Sequence, residues 1–191
     1  MKNFLAIVSF LLFMLGAWGL NNAKPDDTKI LWNKDSLLTW DDFQGKAPAN
    51  AATAAMTYTT IGLNSFDYTS MSYNVSIKAM FVKNKSWVQI KKATDYLLKH
   101  EQLHFDIAEL FARKLRKGLT EGKFTSSQLS NQVTAMFKDY NSKLEAYQAK
   151  YDKETNHSRI TEKQEQWESA VPKELLKLDA YTDTLVVITI K

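Results

Sequence analysis

His100-Glu101-Gln102-Leu103-His104 places two of the chain's three histidines four residues apart, with a glutamate directly after the first. Imidazoles bind divalent transition metals, and a carboxylate beside such an ion can take a proton from water. The pattern H-E-x-x-H on a helix combines the two in metal-assisted hydrolysis. At 3.6 residues per turn, positions i and i+4 project from one face, so both rings can reach one ion while Glu101 flanks it. The implied chemistry is water attack on a carbonyl, with His100 and His104 as ligands of Zn2+ and Glu101 as general base.

A catalytic zinc usually has three protein ligands and one open position, so the motif lacks a partner. Glu109 lies nine residues after His100, which puts it about 180° around a regular helix from that ring. The turn that lets a third histidine fold back in metzincins is missing, because positions 107 and 110 are Ile and Leu. The remaining histidine, His157, is the expected third ligand. It lies in Tyr151-Asp152-Lys153-Glu154-Thr155-Asn156-His157-Ser158, a polar junction of the kind that presents functional groups. Asp152 and Glu154 are the alternatives, since zinc also accepts oxygen ligands. Tyr151 is either a donor to a developing oxyanion or a core tyrosine. Asp106 and Glu109 are either orienting carboxylates or exposed helix residues.

The elements that position these groups follow from periodicity. From Trp87 to Leu119, Ala93, Tyr96, Leu97, His100, His104, Ile107, Ala108, Phe111 and Leu115 recur at helical spacing. A helix from about Lys91 to Arg116 is expected, with Lys117-Gly118 as its stop. A second helix runs from Ser126 or Ser127 to about Tyr147 on the stripe Val133, Met136, Phe137, Tyr140, Leu144 and Tyr147. A third follows Ser158 and is interrupted or restarted at Pro172. In the first half, Met71 to Phe81 alternates strictly and reads as a strand, as does Thr57 to Leu63. Ile30–Trp32 and Leu37–Trp40 are shorter candidates, and Asp41 to Pro48 is a loop. Thr184 to Ile190 is a last strand that must return to the N-terminal sheet to pair its backbone. The expected fold is α+β, a mainly antiparallel sheet with helices on one side and a zincin-like H-E-x-x-H helix.

Met1-Lys2-Asn3 followed by the apolar run Phe4–Leu15 reads as a signal peptide, with Ala17-Trp18-Gly19 or Asn21-Asn22-Ala23 as cleavage site. An uncleaved anchor is the alternative, although the run is shorter than the roughly 20 residues of a membrane span. The chain has no cysteine, so it has neither a lipid-anchored cysteine nor a disulfide, which suits a bacterial periplasm. Residues 1–19 are thus read as the signal peptide and 20–191 as a single domain with a secreted or periplasmic destination and no membrane contact after cleavage. Loss of Lys2 with the signal lowers the formal net charge from +4 to +3. No basic stripe interleaved with aromatics supports nucleic-acid binding, and no phosphate- or dinucleotide-binding glycine pattern occurs. Trp40, Trp87 and Trp167 read as core or loop anchors.

Three segments occur in order: Leu38-Thr39-Trp40-Asp41-Asp42-Phe43-Gln44-Gly45, Leu98-Lys99-His100-Glu101-Gln102-Leu103-His104-Phe105-Asp106-Ile107-Ala108-Glu109, and Tyr151 to His157 with Gln164 and Trp167 beyond. In these the chain resembles the bacterial domain of unknown function 922, described as predicted secreted zinc-dependent proteases, over nearly all of the segment after the signal. The resemblance implies a secreted metallopeptidase acting on a peptide or protein substrate and includes the Tyr-Asp-x-Glu-Thr-x-His segment in the site. Ser158 stands where a glycine is expected. Three functions fit: a zinc metallopeptidase or amidase, a secreted binding module with a structural or vestigial metal site, and a zinc hydrolase of a non-peptide bond such as a cell-wall ester. A closed four-ligand site favours the second over an open three-ligand one.

Overall fold

The computed structural model describes residues 26–68 and 72–190; the expected signal peptide, Met1 to Gly19, lies outside them. Along the chain come β1 (Lys29–Leu31), β2 (Ala55–Met56), β3 (Thr59–Tyr68), β4 (Ser72–Val82), β5 (Trp87–Val88), α1 (Asp95–Glu121), α2 (Leu129–Thr155), α3 (Thr161–Lys177) and β6 (Leu185–Thr189). The architecture is α+β, with three α-helices and antiparallel sheets.

β4 is the spine of the main sheet. β3 lies along one edge, from Thr59 opposite Phe81 to Tyr68 opposite Tyr73. Its other edge is shared: β6 lies opposite Ser72–Ser76, and β1 opposite Met80–Val82. The last strand therefore does return to the N-terminal sheet. Ile77 to Ala79 fall in the gap between the two short strands, where Ile77 N–H reaches Thr184 O at 2.9 Å and Ala79 O accepts from Trp32 N–H at 3.1 Å. β2 and β5 form a separate two-stranded ladder.

Alternation along β4 turns Val75, Ile77, Ala79 and Phe81 inward, where all four are buried. α1 packs against β3, β4 and β6 and also against α2 and α3, so it is covered on more than one side. Phe105, Ile107, Leu110, Ala112 and Leu115 are all fully buried, which makes the apolar part of α1 wider than a single stripe. Its start is fixed by Thr94, whose side chain accepts from Leu97 N–H at 3.1 Å. Trp87 and Trp167 are buried, and Trp40 packs on Phe43 at 4.9 Å.

The structure departs from the sequence expectations at identifiable places. Leu37 to Trp40 is not a strand: Leu38 N–H bonds to the Gln102 side chain, and Thr39 begins a 3-10 turn, Trp40–Asp42, closed by Asp42. α1 runs through Gly118 to Glu121 instead of stopping at Arg116. A Cβ at Gly118 would stand 2.8 Å from Met136 Cε and 3.3 Å from the Tyr140 hydroxyl, so the glycine allows α2 to approach and does not end the helix. Tyr96 is exposed in the first turn, and Ala93 precedes it. α2 continues two turns past Tyr147, and α3 passes through Pro172 without a break.

Candidate metal centre

α1 presents His100, Glu101 and His104 from its second turn, all at most 5% exposed. The two rings stand 5.0 Å apart, nearly perpendicular. Opposite them α2 supplies Asp152, whose Oδ1 lies 3.2 Å from Nε2 of each ring. His100, His104 and Asp152 could together hold a metal ion: one ligand atom from each falls within 4.8 Å of the others.

The hydrogen bonds around the rings decide which nitrogens carry protons. His100 Nδ1 is 2.9 Å from Gln164 Oε1, and His104 Nδ1 is 2.9 Å from Gln148 Oε1. The Gln164 amide can face only one way, because its nitrogen donates to the Glu168 carboxylate and its oxygen accepts from the Tyr151 hydroxyl. Gln148 donates an N–H to the Thr59 hydroxyl at 2.9 Å, with its oxygen toward His104. An amide oxygen only accepts, so each Nδ1 holds a proton and each neutral ring offers its Nε2 lone pair inward. Those lone pairs meet a carboxylate oxygen, which is also an acceptor. Either a proton on a ring or a cation must join them.

Without a cation, the proton goes to His104. Burial opposes charge on His104, yet the hydrogen bond and charge of Asp152, helped by Glu101, raise its pKa above the usual value. Burial likewise opposes ionisation of Asp152, and the hydrogen bonds from His100 and His104 outweigh it, holding the carboxyl well below the usual carboxylate range.

His157 also reaches this oxygen, with Nδ1 3.3 Å from Asp152 Oδ1, from a side chain that is 45% exposed. It sits where α2 ends: Asn156, His157 and Ser158 all have positive φ, at 47°, 52° and 68°. Asn156 and His157 N–H close the helix on Asp152 O. A left-handed residue other than glycine is strained by about 1–2 kcal/mol, which explains why a glycine would suit position 158. Of the two carboxylate alternatives to His157, Asp152 is at the centre and Glu154 is turned away, accepting from Trp167 Nε1 at 2.9 Å.

The Oε2 of Glu101 is buried with no hydrogen-bond partner among the described residues. Glu101 lines a cavity of about 160 Å³ together with Thr53–Thr57, Leu97, both α1 histidines, Gln148, Asp152 and His157. Tyr151 does not line that cavity. It is fully buried and stacks on His100 at 4.6 Å, its hydroxyl donating to Gln164, and burial raises its pKa. Its role is packing and orientation, not oxyanion binding. Asp106 and Glu109 are neither exposed nor near the rings. Asp106 accepts from Trp32 and Gln102, and Glu109 pairs with two arginines.

The family model for a bacterial protein of unknown function, DUF922, matches residues 41–158, more than half of the chain. The chain belongs to this family. No curated protein and no solved structure matches it. The DUF922 match runs from the 3-10 turn to Ser158 and so takes in all of the convergent side chains, leaving Gln164 beyond its end. Gln148 is the DUF922 residue of the site that sequence reading passed over. It stands one turn before Asp152 on the same helical face, which is the only signal it leaves in the sequence.

Proposed function

We propose that this DUF922 protein is a secreted zinc-dependent hydrolase of peptide or amide bonds. The observation that carries the reading is the convergence of the Nε2 atoms of His100 and His104 on one carboxylate oxygen, with a buried glutamate oxygen unpartnered beside them. The separations of 3.2–3.3 Å about Asp152 Oδ1 fit neighbouring ligands of a four-coordinate zinc, about 3.3 Å apart for bonds of about 2.0–2.1 Å. The nitrogen and oxygen donor set suits zinc as well. The apolar run Phe4–Leu15 supports export.

His100, His104 and Asp152 would hold the ion, leaving its fourth position to water on the exposed side where His157 stands. A zinc ion there supplies Lewis acidity, which acidifies water and polarises a carbonyl. Glu101 supplies the base: its Oε2 takes the proton of the attacking water, holds it, and passes it to the leaving amine. Gln164 and Gln148 fix both ring tautomers, and Tyr151 and Trp167 exclude water from behind His100.

One observation favours a second reading. With His157 the site has four protein donors, the closed set of a structural metal, and the protein would then be a secreted binding module. Elemental analysis of zinc on the purified protein and on His104→Ala, followed by a peptide-library screen with Glu101→Gln, separates the two. The hydrolase reading requires one zinc per chain, lost in His104→Ala, and turnover that falls about 10²–10⁴-fold in Glu101→Gln with the metal retained. Retained zinc with no turnover on any substrate supports the binding module with a structural metal, and no zinc in either protein overturns the hydrolase and leaves a binding module with a vestigial site.

A further inference from the structure

A second charged cluster lies toward the other end of α1. Glu109, Arg113 and Arg116 are 3%, 5% and 2% exposed. Arg116 is a structural residue. Its Nε and Nη2 donate to Ile77 O in the gap between β1 and β6, and its remaining hydrogens go to Glu109 and Tyr181 O, so that every N–H is used.

Arg113 is different. Nε donates to Glu109 Oε1 and Nη1 to Leu175 O, but Nη2 donates no hydrogen bond among the described residues. Both guanidiniums share one buried carboxylate, that of Glu109. Asp179 pairs with Arg113 from the surface, 76% exposed and 3.7 Å from Nη1, and Asp106 lines an adjoining pocket with it. Arg113 and Arg116 line a cavity of about 650 Å³ together with Lys34 and Lys78, and the carboxylates of Glu109 and Asp179 line it as well. Leu31, Trp32 and Ala79 give it an apolar wall, and the Trp32 ring lies 5.4 Å from the Arg113 guanidinium. It shares no lining residue with the metal cavity.

We propose that this cavity binds a small organic anion, a carboxylate or phosphate head on an apolar body. The open Nη2 edge of Arg113 takes the head, since a guanidinium presents paired donors that match planar carboxylate and phosphate oxygens. Lys34 and Lys78 add attraction from the rim, and Trp32 and Leu31 cover the body.

Calorimetric titration at constant ionic strength tests this, using benzoate and phenyl phosphate as probes and benzyl alcohol as the neutral control. At least one anion should bind saturably at one per chain and shift the Trp32 indole resonance, while benzyl alcohol does neither. The tighter of the two anions distinguishes a carboxylate head from a phosphate. Arg113→Gln should weaken binding at least about tenfold, and Lys34→Ala with Lys78→Gln should weaken it several-fold without touching the core. Removal of metal should leave the affinity unchanged. Absence of saturable binding by both anions overturns the proposal, as does unaltered affinity in the variants. Should Arg113→Gln fail to fold, the double lysine variant and the Trp32 resonance decide.

Discussion

His100 is held through its back nitrogen by Gln164, whose side-chain oxygen lies 2.9 Å from Nδ1 and also accepts from Tyr151 at 2.8 Å. Gln164→Leu would leave the ring N–H buried without an acceptor and the tyrosine hydroxyl with only its longer bond to His100 O, at 3.3 Å. Metal affinity should fall about 10–100-fold and stability by about 1–3 kcal/mol, read by chelator competition and by denaturant unfolding. Unchanged affinity would mean that the ring is aligned by packing alone.

Asp152 and His157 differ in how firmly they are placed. Asp152 Oδ1 meets three rings, whereas His157 makes one such contact from a half-exposed turn. Asp152→Ala should therefore weaken metal binding more than His157→Ala in the same competition assay. The opposite order would make His157 the principal third ligand.

The turn that carries His157 is strained at Ser158, where φ is 68°. Glycine adopts this conformation freely, and its extra freedom in the unfolded chain offsets part of the gain. Ser158→Gly should stabilise the protein by up to about 1 kcal/mol, measured by urea unfolding. A loss of stability would show that the serine side chain contributes more than the backbone costs.

Gly118 lets α2 lie close to α1. Gly118→Leu would drive atoms into Met136 and Tyr140 and should destabilise by about 1–3 kcal/mol through overpacking, despite the better helix propensity. Thermal unfolding checks the direction.

The reach of the sequence is clearest on α1. Its histidines fall on a strongly periodic apolar face, so both the helix and the shared direction of His100 and His104 could be read from spacing alone. The same arithmetic placed Glu109 on the far side, where it meets Arg113 and Arg116. Gly118 was misread because a glycine required by a neighbouring helix has the same letter as one that ends a helix. Leu37–Trp40 has strand composition, but Gln102 captures the Leu38 amide from α1, which no local pattern encodes, and Asp42 closes on Thr39 in a local Thr-x-x-Asp capping box that the strand reading passed over. Asp152 and Gln148 belong to another helix. Which of several downstream acids meets the histidines depends on how α2 lies across α1, a tertiary fact that spacing does not contain.

The absence of cysteine gives the meeting of α1 and α2 a further meaning. His104 and Asp152 are 48 residues apart in the chain, and an ion gripped by both would close that stretch into a loop. On the chain-entropy scale applied to disulfides, a loop of this length is worth about 4 kcal/mol. A metal staple is reversible, and it answers to the free metal around the protein instead of to redox poise. A competitor that scavenges zinc would then loosen α2 from α1 and expose the chain to proteolysis, whereas an oxidising or reducing milieu would leave it untouched.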